Sequence, residues 1–259
     1  MRVAAVLPGD DRRRDRDRVS STRLNPAVES ISAFFPCYND EATITSMVNA
    51  ASKTIEQVGA DGELIVVNDG STDGSQEALE DLADSLPSLR IVVHERNRGY
   101  GGALISGFTA ATKQWVFYTD GDGQFDPTEL ALLVEHASDD VDVVQGYKIG
   151  RADNLTRRIV GRVYRRFVTF LFGLQIRDVD CDFRLIRRSL LDEVRLTHTS
   201  GVICVEMVRK FQDARARFVE VPVHHYVREH GQSRFFRPAS LVRSLWDLVG
   251  LWVQFRVRR

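Results

Sequence analysis

The chain has 259 residues, of which 43% are hydrophobic and 27% charged, and its formal net charge is −1. These values are typical of a globular α/β protein with a full hydrophobic core, and the length fits one large domain or one domain with appendages. Three scattered cysteines favour neither a disulfide framework nor a CxxC metal site, so we expect a reducing compartment. The short apolar run at the start is followed by a charge cluster, so we expect no secretory signal.

The small net charge conceals segments of opposite sign. Residues 29–147 carry a net charge of −16, residues 148–259 one of +12, and the first 28 residues one of +3. An acidic half is suited to hold a cation, and a basic half is suited to face phosphate groups or an anionic membrane. The alternative is a surface charge that drifts along the chain without functional meaning.

A regular alternation of apolar runs begins after an irregular tail. Residues 1–28 mix Arg, Asp, Ser, Asn and Pro without apolar periodicity, which predicts a disordered charged tail. The predicted strands that follow are Ser30–Phe35, Glu63–Val67, Leu89–Val93, Trp115–Thr119 and Val141–Gln145. The predicted helices between them are Glu41–Val58, Ser75–Leu86, Gly102–Thr112 and Pro127–Ala137. This order predicts a mostly parallel sheet with helices on both faces, which binds ligands beyond the carboxyl ends of its strands.

Two amphipathic segments lie in the basic half. The segment Ile159–Leu171 places aromatic and aliphatic residues on one helical face and arginines on the other, and Leu241–Phe255 repeats this pattern. Such a helix lies in a membrane interface or packs on its own domain. The second segment is shorter than the ~20 apolar residues that span a bilayer, so we expect residues 237–259 to form an amphipathic membrane-interface helix.

The most informative motif is DGDGQ at residues 120–124, directly after the predicted strand Trp115–Thr119. The carboxylates of Asp120 and Asp122 are spaced to reach the same hard cation, and Gln124 offers a third oxygen. Mg²⁺ and Mn²⁺ are typically held by one or two carboxylates together with substrate phosphates. Taken alone, the motif is equally consistent with an ordinary turn, because Asp and Gly are common turn residues.

Two more polar motifs end the first and second predicted strands, PCYNDE at residues 36–41 and VNDGSTDGS at residues 67–75. Tyr38 is placed to flank a nucleotide base, and Asp40 and Asp69 are placed to accept hydrogen bonds from a base or ribose. The polar residues of both motifs are equally suited to cap the helices that follow. The glycine-rich run at residues 99–102 lacks the lysine of a P-loop. It instead favours a helix that starts in close packing beneath the ligand (the donor) that these motifs bind.

Together these motifs resemble family 2 glycosyltransferases of GT-A fold, and the DxDxQ form is most like dolichyl- or polyprenyl-phosphate mannosyl- and glucosyltransferases. The resemblance extends over roughly residues 29–236 and implies a Rossmann-like sheet, with a donor-binding half at 29–147 and an acceptor half at 148–236. The donor-binding residues that it implies are Pro36, Tyr38, Asp40, Val67, Asp69, Asp120, Gly121, Asp122, Gln124, Lys148, Arg228 and Arg234. The implied metal ligands are Asp120, Asp122 and Gln124, and the implied catalytic residues are Asp120, Asp122 and Arg228.

The basic half carries the other two matching patterns. Residues 228–234 match the phosphate-binding pattern R-x-x-G-x-S-[KR], and residues 178–184 match the acceptor-side pattern D-x-x-[GC]-x-F-R. The implied acceptor-binding residues are Arg158, Arg162, Asp180, Arg184 and Ser233. The chain departs from the family at Asp40, where Glu is usual, at Lys148, where Arg is usual, and at Arg234, where Lys is common. These departures leave the choice of donor open, because Arg and Lys differ in bidentate bonding.

The resemblance implies an inverting transfer of a hexose from GDP-mannose or UDP-glucose to a polyprenyl phosphate, with Mg²⁺ or Mn²⁺ as cofactor. It implies a cytoplasmic enzyme that associates peripherally with the membrane surface, directly or through an anchoring partner. The acidic donor half and the lack of a reader motif argue against nucleic acid as a partner. One alternative is transfer to a hydroxyl of a saccharide or small molecule, with Asp180 or Asp182 as general base. Another is a non-catalytic subunit that binds a nucleotide sugar.

Overall fold

A computed structural model of the chain describes residues 4–5, 25–150, 155–228 and 238–257. Within these ranges the chain forms one sheet with helices packed on both faces. The strands are β1 (Ala4–Ala5), β2 (Ser30–Cys37), β3 (Asp61–Asn68), β4 (Leu89–Val93), β5 (Trp115–Thr119), β6 (Val143–Ile149), β7 (Phe183–Arg187) and β8 (Phe218–His224). The helices are α1 (Ile44–Gln57), α2 (Ser75–Ser85), α3 (Tyr100–Ala110), α4 (Leu130–His136), α5 (Leu155–Phe172), α6 (Arg188–Glu193), α7 (Ile203–Asp213) and α8 (Pro238–Val257), with a 3-10 turn at Pro127–Glu129.

The strands lie in the order β1-β8-β6-β7-β5-β2-β3-β4, and neighbouring strands are parallel except at β7. Strand β7 runs antiparallel to both β5 and β6. The carboxyl ends of β2, β3, β5, β6 and β8 therefore meet at one edge of the sheet, and the chain entering β7 joins them there. The predicted mostly parallel α/β sheet and its five predicted strands are confirmed. The reversed strand β7 was not predicted, because its sequence had been interpreted only as part of an acceptor motif.

Both faces of the central strands are buried, which explains their nearly continuous apolar sequences. Successive side chains of a strand point to opposite faces, so Trp115 and Phe117 of β5 pack beneath α1 and α4, whereas Val116 and Tyr118 pack beneath α3 and α7. Helix α1 buries a stripe of residues at helical spacing, Ile44, Met47, Val48, Ala51 and Ile55. The sheet is consequently a rigid platform that holds the loops at its carboxyl edge.

The predicted disordered tail, residues 1–28, differs from the structure at two places. Ala4–Ala5 form β1, the terminal strand of the sheet, which pairs in parallel with β8. The side chain of Asn25 donates hydrogen bonds to two carbonyls near the end of α4, and the indole of Trp115 donates to the Ala27 carbonyl at 2.9 Å. Residues 25–28 are thus ordered, because their polar groups satisfy a helix terminus and a buried indole. The other residues of the predicted tail lie outside the described ranges.

The two predicted amphipathic helices are present and extend beyond their predicted bounds, as α5 and α8. Helix α8 buries Leu248 and Leu251 against the domain, and its Phe255 ring lies 6.4 Å from that of Phe172 at the end of α5. One face of α8 therefore packs on its own domain. Among the described helices, none is both long enough and apolar enough to cross a membrane.

The close approach of α3 to the sheet is tested by Gly107→Ala. A Cβ atom added at Gly107 would lie 2.3 Å from the ring of Phe34 on β2, so we expect overpacking to lower the free energy of unfolding by about 1–3 kcal/mol. Urea unfolding measures this change. Gly161→Ala on α5 is the matched control, because its added Cβ meets no atom within 4 Å and alanine there should raise helix stability by up to about 1 kcal/mol. A Gly107→Ala protein as stable as the wild type would contradict the packing described.

Candidate active site

Acidic side chains from two neighbouring parallel strands converge at the carboxyl edge of the sheet. Asp40 follows β2, and Asp122 follows β5, its direct neighbour. One guanidinium nitrogen, Nη2 of Arg228, lies 3.2 Å from Asp40 Oδ1 and 3.5 Å from Asp122 Oδ2. Arg228 lies shortly after β8, so three strands contribute to this cluster. The structure therefore brings together the predicted donor residues Asp40, Asp122 and Arg228.

Both carboxylates of the DxD motif have one oxygen held by the protein. Asp120 Oδ1 accepts a hydrogen bond from the Tyr100 hydroxyl at 2.8 Å, and Asp122 Oδ1 accepts one from the Gln124 backbone amide at 3.0 Å. Gln124 also exchanges two bonds with Tyr226, its side-chain amide donating to the Tyr226 carbonyl and its own carbonyl accepting from the Tyr226 amide. These bonds connect the DxD loop to the segment that carries Arg228.

The acidic cluster is electrostatically strained, because its members are buried close together. Burial, followed by the charges of Asp182 and Asp122, raises the pKa of Asp120 well above its ordinary value. Burial also raises the pKa of Asp122, although Arg228 acts in the opposite direction. Burial raises the pKa of Asp40 to about 6. Additional positive charge at this position would stabilise the ionised carboxylates.

The donor set fits a Mg²⁺ or Mn²⁺ ion that takes part of its coordination from a ligand. Asp120 and Asp122 are hard oxygen donors at the end of β5, as such ions require. In the part of the chain that the structure describes, no group of three or more His, Cys, Asp or Glu side chains is arranged to hold a metal. The Nε of Arg228 is buried without a hydrogen-bond partner among the described residues. An anionic ligand such as a diphosphate would satisfy both this donor and the cation.

Some of the predicted donor residues lie beneath the site. The side chain of Val67 is fully buried in the core under α3. Asp69 is 3% exposed, and its carboxylate accepts hydrogen bonds from the His94 ring at 2.6 Å and from two backbone amides, at Arg98 and Gly99. This arrangement differs from the predicted contact of Asp69 with a base or ribose, because internal donors occupy both of its oxygens. Pro36 is buried at the end of β2, and its carbonyl faces Gly121 of the DxD loop.

The acceptor motif contains a side chain that the structure assigns to the core. Arg184 on β7 is 1% exposed, and its guanidinium donates to the Gln145 side chain, the Tyr118 hydroxyl and the Val179 carbonyl. The predicted acceptor-binding role of Arg184 is therefore corrected: its donors hold the strands and the preceding loop together. The Lys148 ammonium donates to the carbonyl of Asp180, which places this lysine against the acidic loop that leads into β7.

The remaining predicted acceptor residues fall at the limits of what the structure describes. Arg158 and Arg162 belong to the first part of α5, where only the backbone is described. Ser233 and Arg234 lie outside the described residues. Their roles stay predictions.

Two contacts of the α3 helix start were not recognised from the sequence: the bond from Tyr100 to Asp120, and the packing of the loop after α6. Tyr100 was considered only as part of a glycine-rich helix start, and its bond to Asp120 becomes visible only when α3 is placed beside β5. The loop after α6 packs against that helix start, since a Cβ at Gly101 would collide with the His198 carbonyl. Gly99 has a φ of 86°, which favours glycine. The helix start is thus closely packed, against the loop after α6, and its predicted position beneath the donor stays a prediction.

The corrected role of Arg184 is tested by Arg184→Met. Removal of the guanidinium would leave buried acceptors unpaired, so we expect the free energy of unfolding to fall by about 3–5 kcal/mol. Thermal and urea unfolding measure the loss. Arg96→Met is the control, because Arg96 is exposed and its substitution should change stability by about 0.5 kcal/mol or less. A stable Arg184→Met protein with weakened acceptor binding would instead support the original interpretation.

Comparison with known proteins agrees with the fold. The family model for glycosyl transferase family 2 matches residues 32–195. Undecaprenyl-phosphate 4-deoxy-4-formamido-L-arabinose transferase of Enterobacter sp. (strain 638) is 31% identical over 225 residues, which cover 86% of this chain and 67% of that protein.

Solved structures of glucosyl-3-phosphoglycerate synthase from Mycobacterium tuberculosis share the fold. The complex with Mn²⁺, uridine diphosphate and glucosyl-3-phosphoglycerate has a TM-score of 0.69 at 20% sequence identity, over 87% of this chain and 80% of that chain. The complex with phosphoglyceric acid has a TM-score of 0.67 at 21% identity, over 89% and 81% of the two chains. With the family match, these similarities confirm the resemblance: the chain belongs to glycosyl transferase family 2 and is a glycosyltransferase of GT-A fold.

Proposed function

We propose that this enzyme transfers a hexose from GDP-mannose or UDP-glucose to a polyprenyl phosphate, with Mg²⁺ or Mn²⁺ bound at the DxD motif and with inversion at the anomeric carbon. The observation that carries the proposal is the position of Arg228 between Asp40 and Asp122 at the carboxyl edge of the sheet. The 31% identical relative, named as a transferase that acts with undecaprenyl phosphate, supports the choice of acceptor.

The donor side of the site is suited to a diphosphate leaving group. Asp120 and Asp122 would hold the cation, which when bound supplies positive charge against the departing diphosphate. Arg228 has a buried Nε without a protein partner among the described residues, and this donor is available to a phosphate oxygen. Tyr38 and Asp40, which are linked by a hydrogen bond from the Tyr38 amide at 3.1 Å, would contact the nucleoside.

A phosphate acceptor simplifies the chemistry that the protein must perform. The second pKa of a phosphomonoester is about 6, so the acceptor arrives as an anion and needs no general base. Attack on the face of the anomeric carbon opposite the leaving group inverts its configuration. The arginines at the start of α5, including Arg158 and Arg162, would supply charge for this second phosphate, because α5 follows β6 at the same sheet edge.

One observation favours a second candidate, transfer to a hydroxyl acceptor. Burial raises the pKa of Asp180 to about 6, with Asp178 and Asp182 adding to the shift, which suits a general base near neutral pH. Asp182 is less suited to this role, because its carboxylate already accepts from the Tyr118 hydroxyl and the Cys204 thiol, each at 3.2 Å. Asp180→Asn therefore separates the two candidates.

The catalytic proposal is tested by Asp122→Asn. We expect kcat/KM for transfer of radiolabelled sugar to undecaprenyl phosphate in detergent with Mn²⁺ to fall by about 10²–10³-fold, because a charged partner of cation and diphosphate is lost. Asp126→Asn is the matched control in the same loop. It retains the capping bond to the Thr128 amide and should keep activity within about twofold of the wild type.

Two outcomes would contradict this proposal. No organic-extractable, acid-labile product with either GDP-mannose or UDP-glucose would exclude the proposed donors and acceptor. Transfer to a saccharide hydroxyl that Asp180→Asn abolishes, together with the acid limb of the pH profile, would establish the second candidate.

We further propose that the protein associates peripherally with the cytoplasmic surface of the membrane through an aromatic face on α5 and α8. Phe170 is 87% exposed and Trp246 is 71% exposed. Phe172, Trp252 and Phe255 line a recess between the two helices, and Arg209 and Arg256 border it. Exposed aromatic side chains beside arginines are suited to the interface of an anionic bilayer.

The membrane proposal is tested by the double variant Phe170→Ser/Trp246→Ser. We expect co-sedimentation with phosphatidylglycerol-containing vesicles to fall by about tenfold or more, because two exposed apolar anchors are removed. Val93→Ser is the control, because Val93 is 55% exposed but lies on β4, the terminal strand of the sheet, and not on α5 or α8. Equal sedimentation of the wild type, the double variant and the control would contradict the proposed face. Wild-type binding to neutral phosphatidylcholine vesicles as strong as that to phosphatidylglycerol-containing vesicles would also contradict it.

A further inference from the structure

Tyr100 connects the start of α3 to the predicted metal ligand Asp120. It is the first residue of α3, and its hydroxyl donates to Asp120 Oδ1 at 2.8 Å. This bond occupies one oxygen of a carboxylate that is otherwise crowded by the neighbouring charges of Asp182 and Asp122. The position of the hydroxyl is therefore set by whatever holds the first turn of α3.

A buried carboxylate holds this turn from one side. Asp69 accepts from the backbone amides of Arg98 at 2.8 Å and Gly99 at 3.0 Å, immediately before Tyr100. It also accepts from the His94 ring, whose other nitrogen lies 2.9 Å from the Ser106 hydroxyl on α3. The chain Ser106–His94–Asp69 thus connects the body of α3 to the loop that precedes it.

A second buried carboxylate holds the turn from the other side. Glu206 on α7 is fully buried and accepts from the amides of Thr197 and His198 and from the Lys210 ammonium at 2.6 Å. Burial opposes its ionisation, but these bonds outweigh burial and hold the pKa of Glu206 far below its ordinary value. In the loop that Glu206 anchors, the Thr199 carbonyl accepts a hydrogen bond from the Gly101 amide of α3 at 2.9 Å.

We propose that Tyr100 is a positioning residue for the metal site, with its hydroxyl fixing the Asp120 carboxylate so that the second oxygen is presented to the cation. The inference rests on the proposed metal site. Two buried carboxylates, Asp69 and Glu206, hold the turn that carries the Tyr100 hydroxyl, and that hydroxyl contacts an oxygen of Asp120. A hydrogen bond from outside the coordination sphere orients a metal ligand, and its loss typically weakens metal affinity by about 10–100-fold.

The experiment compares Mn²⁺ binding to the wild type and to Tyr100→Phe, which keeps the ring and removes only the hydroxyl. The signal of free Mn²⁺ in electron paramagnetic resonance gives the Kd, in the presence of UDP and separately of GDP. We expect the Kd of Tyr100→Phe to rise by about 10–100-fold. We also expect the Mn²⁺ concentration for half-maximal activity to rise, with kcat at saturating Mn²⁺ changing by a smaller factor.

Two control variants separate positioning from general loosening. Tyr147→Phe removes a hydroxyl from a tyrosine on β6 whose ring packs against Arg177, and it should leave the Mn²⁺ Kd within about twofold. Thr109→Ala removes a side-chain bond to the Ile105 carbonyl of α3, outside the chain Ser106–His94–Asp69, and it should leave that Kd within about twofold.

The outcomes distinguish this inference from the function on which it rests. A Tyr100→Phe protein that binds Mn²⁺ as tightly as the wild type overturns the inference and leaves the proposed function intact. An equal loss of affinity in Thr109→Ala also overturns it, because a change elsewhere in α3 would then be sufficient. A wild type that binds no Mn²⁺ with either nucleotide refutes the metal site itself.

Discussion

The repulsion among buried carboxylates at the carboxyl edge of the sheet governs the arrangement of the rest of the site. Burial raises the cost of ionising Asp40, Asp120 and Asp122, and the neighbouring charges of Asp122 and Asp182 add to that cost. Such a cluster is tolerated where protein cations and hydrogen-bond donors offset part of that cost and a ligand offsets the remainder. Arg228 supplies the protein's share of this compensation. This strain is the physical argument for the proposed cation site, because a bound cation would offset it.

The topology explains how so many acids reach the same place. Parallel neighbours β2 and β5 end together, which brings Asp40 beside Asp122. The reversed strand β7 begins at that edge, so the chain entering it carries Asp182 there as well. In an all-parallel sheet the chain would enter this strand at the opposite edge. The antiparallel insertion is therefore what places the predicted acceptor motif next to the predicted donor residues.

Much of the fold was predictable, because strands buried on both faces are nearly continuous in apolar residues and α1 shows a clear helical stripe. The DxD loop and its neighbours were predictable as a group, since parallel strand ends coincide. Burial of individual polar side chains was not. Asp69 and Arg184 have the residue types of ligand-binding groups, and only their three-dimensional neighbours show that internal partners satisfy them. The same holds for Tyr100, whose partner lies 20 residues away in the chain.

The reciprocal hydrogen bonds between Gln124 and Tyr226 have a mechanical consequence. Two hydrogen bonds of opposite direction resist rotation as well as separation, so they hold the loop after β5 and the chain after β8 together. Arg228 lies two residues beyond Tyr226 in the chain. Any force that pulls its guanidinium toward an incoming phosphate is transmitted to the backbone of the DxD loop. If Arg228 binds a phosphate as proposed, that binding and the stiffness of the DxD loop are linked through the contacts between Gln124 and Tyr226.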